Sequence, residues 1–262
     1  MLKRGQITIF IIVAVIMVAV VGLFLLLRSG IIPNPFIRAE KNPSAFLQNC
    51  LEDDVYEILE KISPQGGYLE NPLNIEFKNI DEGIFYKTSY LCYTQAYNQK
   101  CVNQEPNLIQ HIENEIQNHI EEKVRTCTDS LEESYSKAGY TVGVLDQGFE
   151  VDLNFNKIVI KIDKELKLGL GDDVSLIKGF EVNIDSNIYE LIKTAQKIVN
   201  SEAVSCEFDY VQYMINNPNI EINYEQITSS GSEIYTIKDL KTQEWFRFAI
   251  RGCVLEWKNI LS

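Results

Sequence analysis

Between Ile7 and Leu27 the chain reads ITIFIIVAVIMVAVVGLFLLL, without a charge or a proline. A run of about 21 apolar-to-neutral residues can cross a hydrocarbon core as a helix. Lys3 and Arg4 precede it and Arg28 closes it. A cleaved secretory signal has a shorter apolar core and an A-x-A-like site, and neither is present here. The run therefore sets the expected frame: a signal anchor or transmembrane helix over residues 1–28, a proline-bearing linker over 29–43, and a folded ectodomain beyond.

Charge narrows the partners of that ectodomain. The whole chain carries a formal net charge of -13. Lys3, Arg4 and Arg28 lie in the first 28 residues with no acid, which leaves 21 basic against 37 acidic side chains after them. Such a surface repels phosphate backbones, so nucleic acid is not expected as a partner. An apolar content of 45% is that of a chain with a packed core.

The entry to the apolar run is Lys3-Arg4-Gly5-Gln6-Ile7-Thr8-Ile9-Phe10. A basic pair, Gly-Gln, and a Thr early in the hydrophobic segment together resemble the archaeal type IV prepilin-like (class III) signal sequence. In that family a peptidase on the cytoplasmic side cuts ahead of the hydrophobic segment. The resemblance implies processing between Gly5 and Gln6, with the helix retained. It covers about residues 3–27. Two features depart from pilins: Phe10 stands where many carry Glu, and Pro33 and Pro35 stop the first helix near the membrane surface. The whole chain is also similar to a broad, uncharacterised group of archaeal proteins. Their shared pattern is this N-terminus, a Cys-bearing helix, the Gln65-Gly66-Gly67-Tyr68 turn and a mixed α+β region. No activity is implied by that group.

Beyond the linker the hydrophobic period alternates between helix and strand. Ser44 stands where an N-cap would, and Phe46, Leu47, Cys50, Leu51, Val55, Ile58, Leu59 and Ile62 follow at helical spacing. Gly66-Gly67 reads as the stop and turn after that helix. Leu73–Lys78 and Ile84–Tyr93 read as strands. From Pro106, the residues Ile109, Ile112, Ile116, Ile120, Val124, Cys127 and Leu131 form one apolar stripe. From Gly139 the period falls to two through Val142–Ile162, with Asn154–Lys157 as a turn. A third helix is expected after Asp185-Ser186, a short one within Cys206–Asn216, and three strands from Ile220 onward. The expected fold class is α+β: a transmembrane helix, then about three helices on mostly antiparallel strands. The ectodomain divides at Gly139 into a helix-rich half (44–138) and a β-rich half (139–262).

All six cysteines follow the apolar run, and none is spaced C-x-x-C. An even set of this kind fits disulfides in an oxidising compartment. Cys92 and Cys101 flank one short loop. Cys50 and Cys127 each fall on an apolar helical stripe. Cys206 and Cys253 remain, and the strand parity of Cys253 opposes that of Phe246, Phe248 and Ile250 unless Gly252 makes a bulge. The expected pairs are Cys92–Cys101, Cys50–Cys127 and Cys206–Cys253.

No catalytic signature is found. His111, Glu115 and His119 step by four on one helical face, but this is not the H-E-x-x-H metal helix, and their place off the isoleucine stripe predicts a solvated surface. Gly171-Asp172-Asp173 lacks the alternating ligands of a calcium loop. No phosphate-binding loop or nucleophile elbow is present. The expected protein is therefore not an enzyme and holds no metal or cofactor. It is a single-pass extracytoplasmic structural or binding component, with its N-terminus cytoplasmic. Its partners would be the bilayer, through Ile7–Leu27, and proteins of the cell surface or a pilus. A pilin-like filament subunit and a membrane-tethered hydrolase are the alternatives.

Processing at Gly5-Gln6 has a direct check. Intact-mass measurement on protein from its native host should show a chain beginning at Gln6. A mature chain still starting at Met1 or Leu2 would remove the prepilin-type reading.

Overall fold

The computed structural model describes residues 13–18, 20–21, 41–70, 76–81 and 84–255. The first complete element is α1 (Pro43–Ile62). Its cap is Asn42, whose Oδ1 accepts the Ala45 N–H at 3.2 Å, and Pro43 takes the first helical position, where a missing donor costs nothing. The start thus precedes the Ser44 cap read from the sequence. Leu47, Leu51, Val55, Ile58 and Ile62 form its fully buried stripe.

A short 3-10 turn over Ser63–Gln65 leads into Gly66 and Gly67, with φ of 70° and 90°. The Gly67 N–H closes the helix on the Ile62 carbonyl at 2.9 Å. A Cβ on Gly67 would lie 2.8 Å from Ile112, so this turn packs directly on the second long helix.

That helix, α2 (Leu108–Lys137), buries Leu108, Ile112, Ile116, Ile120, Val124, Cys127 and Leu131 along one line. It runs antiparallel to α1. Cys50 bonds Cys127, Asp54 meets Lys123 at 2.7 Å, and Gly67 abuts Ile112, so α1 numbers rise as α2 numbers fall.

Two sheets complete the core. One is a meander of β4 (Thr141–Asn154), β5 (Lys157–Leu170) and β6 (Asp173–Asp185). The tight turn between β4 and β5 places Asn156 at φ 62°, a conformation asparagine tolerates. Ile158, Ile160, Ile162, Leu166 and Leu168 of β5 alternate inward onto the helices. The other sheet runs β1 (Glu76–Asp81), β2 (Ile84–Tyr93), β9 (Trp245–Arg251), β8 (Ser232–Asp239), β7 (Ile220–Ile227), with the two-residue β3 (Val102–Asn103) on β2. Among the described strands, the β2–β9 pair is parallel and the others are antiparallel. Ile222, Tyr235, Ile237, Phe246, Phe248 and Ile250 face inward from this sheet. The helix α3 (Ile188–Ser205) covers them, and the short α4 (Tyr210–Asn216) follows, capped by Asp209.

The α+β class is therefore present, but the expected transmembrane helix is corrected. Within Ile7–Leu27, the described positions 13–18, 20 and 21 are helical. Among the described residues, no helix is long and apolar enough to cross a membrane, which takes about 20 residues. Gly5, Gln6, most of the apolar run, most of the linker and residues 256–262 lie outside the described residues.

The division at Gly139 does not separate two cores. β2 precedes it and β9 follows it, yet the two are hydrogen-bonded neighbours. One continuous cluster joins Leu47 of α1 to Ile250 of β9. Parallel pairing requires a long crossover, and here most of the chain supplies it.

All six cysteines are bonded, in the pairs expected from the sequence. The Cα separations are 6.0 Å for Cys50–Cys127, 5.3 Å for Cys92–Cys101 and 6.0 Å for Cys206–Cys253. The parity conflict at Cys253 disappears because β9 ends at Arg251. Cys253 lies beyond it in the left-handed region at φ 53°. Cys206 also has a left-handed backbone, φ 60°, at the end of α3. Gly252 is needed between them and the next bridge, since a Cβ there would lie 3.0 Å from Cys101.

Two substitutions test this packing. Ile116→Asp places a charge at a fully buried position and should cost more than about 4 kcal/mol, unfolding the domain. Gly67→Ala should cost about 2 kcal/mol or more, from the left-handed backbone and the contact with Ile112. Denaturant titration reads both, and a Gly67→Ala protein as stable as the parent would refute the close α1–α2 turn.

Candidate functional site

A cleft of about 710 Å³ opens between α1, the start of α3 and the β8–β9 turn. Asp239 builds the turn. Its carboxylate accepts the Lys241 and Thr242 N–H groups at 2.7 and 2.9 Å and the Asn187 amide. Burial alone would raise its pKa, but these donors hold it below the usual carboxylate range. Gln243 then adopts φ 66°, which turns the chain back toward Glu244. Glu244 ties the turn to α3, accepting the Ser186 hydroxyl at 2.5 Å and the Asn187 N–H at 2.6 Å. A carboxylate at a helix N-terminus is favoured by the helix dipole.

The opposite wall comes from α1. Glu52, Tyr56 and Glu60 step by four and share one face. The Tyr56 hydroxyl donates to the Asp185 carbonyl at 3.0 Å. Burial raises its pKa first, and the negative charges of Glu52, Asp185 and Glu244 raise it further. Trp245, the first residue of β9, closes the cleft, and the Arg247 guanidinium lies 5.2 Å from its ring centroid. The cleft thus presents two aromatic rings, Tyr56 beside the carboxylates of Glu52, Asp185 and Glu244, and Trp245 beside the Arg247 guanidinium.

His111 is not on a solvated face, contrary to the sequence expectation. Its ring packs on Tyr68 at 4.2 Å, and Nε2 is 3.1 Å from the Gly67 carbonyl. Glu105 and Glu115 lie 3.9 and 3.8 Å from its nitrogens. The Gly66-Gly67 turn brings Tyr68 across α2 and covers that face. His119 is half-buried beside a separate groove, also lined by Asn118 and Arg125, so the two histidines do not converge on one site. Among the described residues no three His, Cys, Asp or Glu side chains are placed to hold a metal ion.

Two further polar clusters are buried. Lys164 occupies an inward position of β5 and is only 4% exposed. Its ammonium meets Glu132 at 2.7 Å, Thr128 at 3.0 Å and Asp146 at 3.3 Å. This pins β5 to α2 and holds the lysine charged. The second cluster lies where α3 packs on β8 and α4 on β7. Tyr235 donates to Glu202 at 2.8 Å, and Tyr224 donates to Glu233 at 3.1 Å. Tyr210 stacks on Tyr224, and Tyr235 stacks on Phe248. Burial, and then the negative charge of Glu202, push Glu233 up to about 7. Burial also raises Glu202.

None of Tyr56, Trp245, Lys164, Glu202 or Glu233 belongs to a motif legible in the sequence. The ladder Glu52-Tyr56-Glu60 was the one local signal, at a helical spacing that puts three polar groups together. Comparison with protein-family models, with curated proteins and with solved structures finds no match for this chain.

The Glu202–Glu233 cluster has a testable pH signature. An unfolded glutamate titrates near its ordinary value of 4.5, and folded Glu233 near 7. Native protein thus holds the proton more tightly. This contribution is fully present below about 4.5 and is lost as pH rises through 7. Glu233→Gln keeps an acceptor for Tyr224 and removes the penalty. It should raise stability by about 1–2 kcal/mol at pH 8, after discounting for partial exposure, and change little at pH 4.5. Equal effects at both pH values would show that Glu233 is not held protonated.

Proposed function

We propose that this chain is an extracytoplasmic, disulfide-stapled binding component, with the cleft between α1 and the β8–β9 turn as its ligand seat. The cleft carries the reading. Its volume of about 710 Å³ falls in the range of small-ligand and side-chain pockets, and its walls pair two aromatic rings with a few fixed polar groups. Three disulfides among six cysteines support the oxidising side of a membrane. The N-terminal resemblance to prepilin-like proteins is consistent with a cell-surface or pilus-associated place, although Gly5 and Gln6 lie outside the described residues.

A binding role is favoured over hydrolysis by the position of the acids. Glu113, Glu202 and Glu233 have raised pKa values, yet Glu113 accepts the Leu153 N–H, the other two are tied to tyrosine hydroxyls, and none of the three lines the cleft. Of the carboxylates that do line it, Glu244 is engaged by Ser186 and Asn187, which leaves Glu60 without a paired acid. A filament subunit would pack through the apolar run near the N-terminus, and nothing in the described domain adds support for that.

The compartment is testable on intact host cells. A membrane-impermeant thiol reagent should label the protein only after treatment with reductant, and purified native protein should be six hydrogens lighter than its reduced form. Reduction should remove about 2–4 kcal/mol for each bridge opened, with Cys50–Cys127, which spans 77 residues, mattering most. Six thiols that label freely in native protein would overturn the placement.

A further inference from the structure

We propose that the cleft recognises a cationic side chain, an arginine or lysine presented by a basic segment of a partner protein. The inference rests on the reading of the cleft as a ligand seat and adds the class of its occupant. Nine residues line the cleft; two are carboxylates, Glu60 and Glu244, and none is basic. Glu52 and Asp185 add negative charge around Tyr56 without lining the cleft themselves. An anionic ligand would be repelled here, and a neutral one would draw nothing from these charges.

The aromatic walls supply the second half of the recognition. A cation within about 6 Å of an aromatic centroid is attracted by the ring's quadrupole, most strongly by indole. Trp245 already holds the Arg247 guanidinium at 5.2 Å, so this ring accepts a cation but has a positive charge beside it, and Tyr56, next to Glu52, Asp185 and Glu244, is the ring that favours the incoming group. Tyr56 faces the cleft from α1, and the exposed Glu60 one helical turn further on is placed to meet the charge of the incoming group. Glu244 is already committed to α3, so Glu60 is the carboxylate free to pair with a ligand. The net charge of -13 would steer a basic partner toward this surface before any close contact forms.

The probes are three short blocked peptides, Ac-Gly-Arg-Gly-NH2 and its citrulline and glutamate counterparts. Citrulline keeps the shape of arginine and removes its charge. Binding to the full chain is read from the indole signal of Trp245, assigned with Trp257→Phe. The arginine peptide should shift that signal saturably. Citrulline should bind about tenfold more weakly, and the glutamate peptide should not bind. Glu60→Gln, at an exposed position, should weaken arginine binding about fivefold, and Tyr56→Leu about tenfold. Tyr56→Phe, which keeps the ring, should bind nearly as well as the parent. Equal binding of the arginine and citrulline peptides would overturn the cationic ligand and leave the cleft as an apolar seat. An arginine response that survives Glu60→Gln with Tyr56→Leu would show general attraction to an acidic surface, and would also overturn it. A Trp245 signal unmoved by every peptide would remove the ligand-seat reading as well.

Discussion

The antiparallel contact between α1 and α2 is the constraint on which the other elements depend. Each helix is amphipathic, and neither can bury its stripe alone. Together they seal Leu51, Val55, Ile58, Ile112, Ile116 and Ile120 from water. The contact is locked along its length by Cys50–Cys127, by the Asp54–Lys123 ion pair and by the Gly66-Gly67 turn. Its outer surfaces then present two tasks. The meander β4–β6 takes the apolar side, with Leu153 anchored to Glu113 of α2 at 2.9 Å. The outward face of α1 supplies the Glu52-Tyr56-Glu60 ladder of the cleft.

The parallel β2–β9 pair holds the ends of the domain together. It makes the first strands and the last strand neighbours, so the fold closes only when nearly the whole chain is in place. Two disulfides sit beside this seam. Cys92–Cys101 folds the loop after β2, and Cys206–Cys253 ties the end of α3 to the chain just after β9. Trp245 belongs to β9, so the cleft inherits its geometry from that seam and from the turn that Asp239 organises.

The buried charges are met one by one. Lys164 sits where the alternation of β5 calls for an apolar residue, and Glu132, Asp146 and Thr128 compensate it. Truncating one partner of such a group leaves an uncompensated charge, which is why these sites are expensive to disturb. Glu233 has a tyrosine hydroxyl and the repulsion of Glu202 beside it, and burial and that repulsion make it hold a proton more tightly than an ordinary glutamate. The His111 ring is held by packing instead, 4.2 Å from the Tyr68 ring with Nε2 3.1 Å from the Gly67 carbonyl.

Local pattern by itself determined the elements. The 3.6-residue stripes of α1, α2 and α3 and the two-residue alternation of β5 are statements about neighbours a few positions apart, and residues at that range already define an apolar face. It also limited the cysteines, because two on helical stripes and two around one loop leave few pairings. The cleft was not legible in this way. Tyr56 and Trp245 are far apart in sequence, and they line one cleft only because the 3-10 turn that ends α1 packs on β9 in the finished core. The exposure of His111 was misjudged for the same reason: a face that is off the apolar stripe of its own helix is solvated only if no other element lies over it, and here Tyr68 does. The apolar run of Ile7–Leu27 marks the limit from the other side, since length and composition suggested a span that the described helices do not contain. What periodicity can decide is which face of an element is apolar, whereas what covers the remaining faces is settled by long-range packing alone.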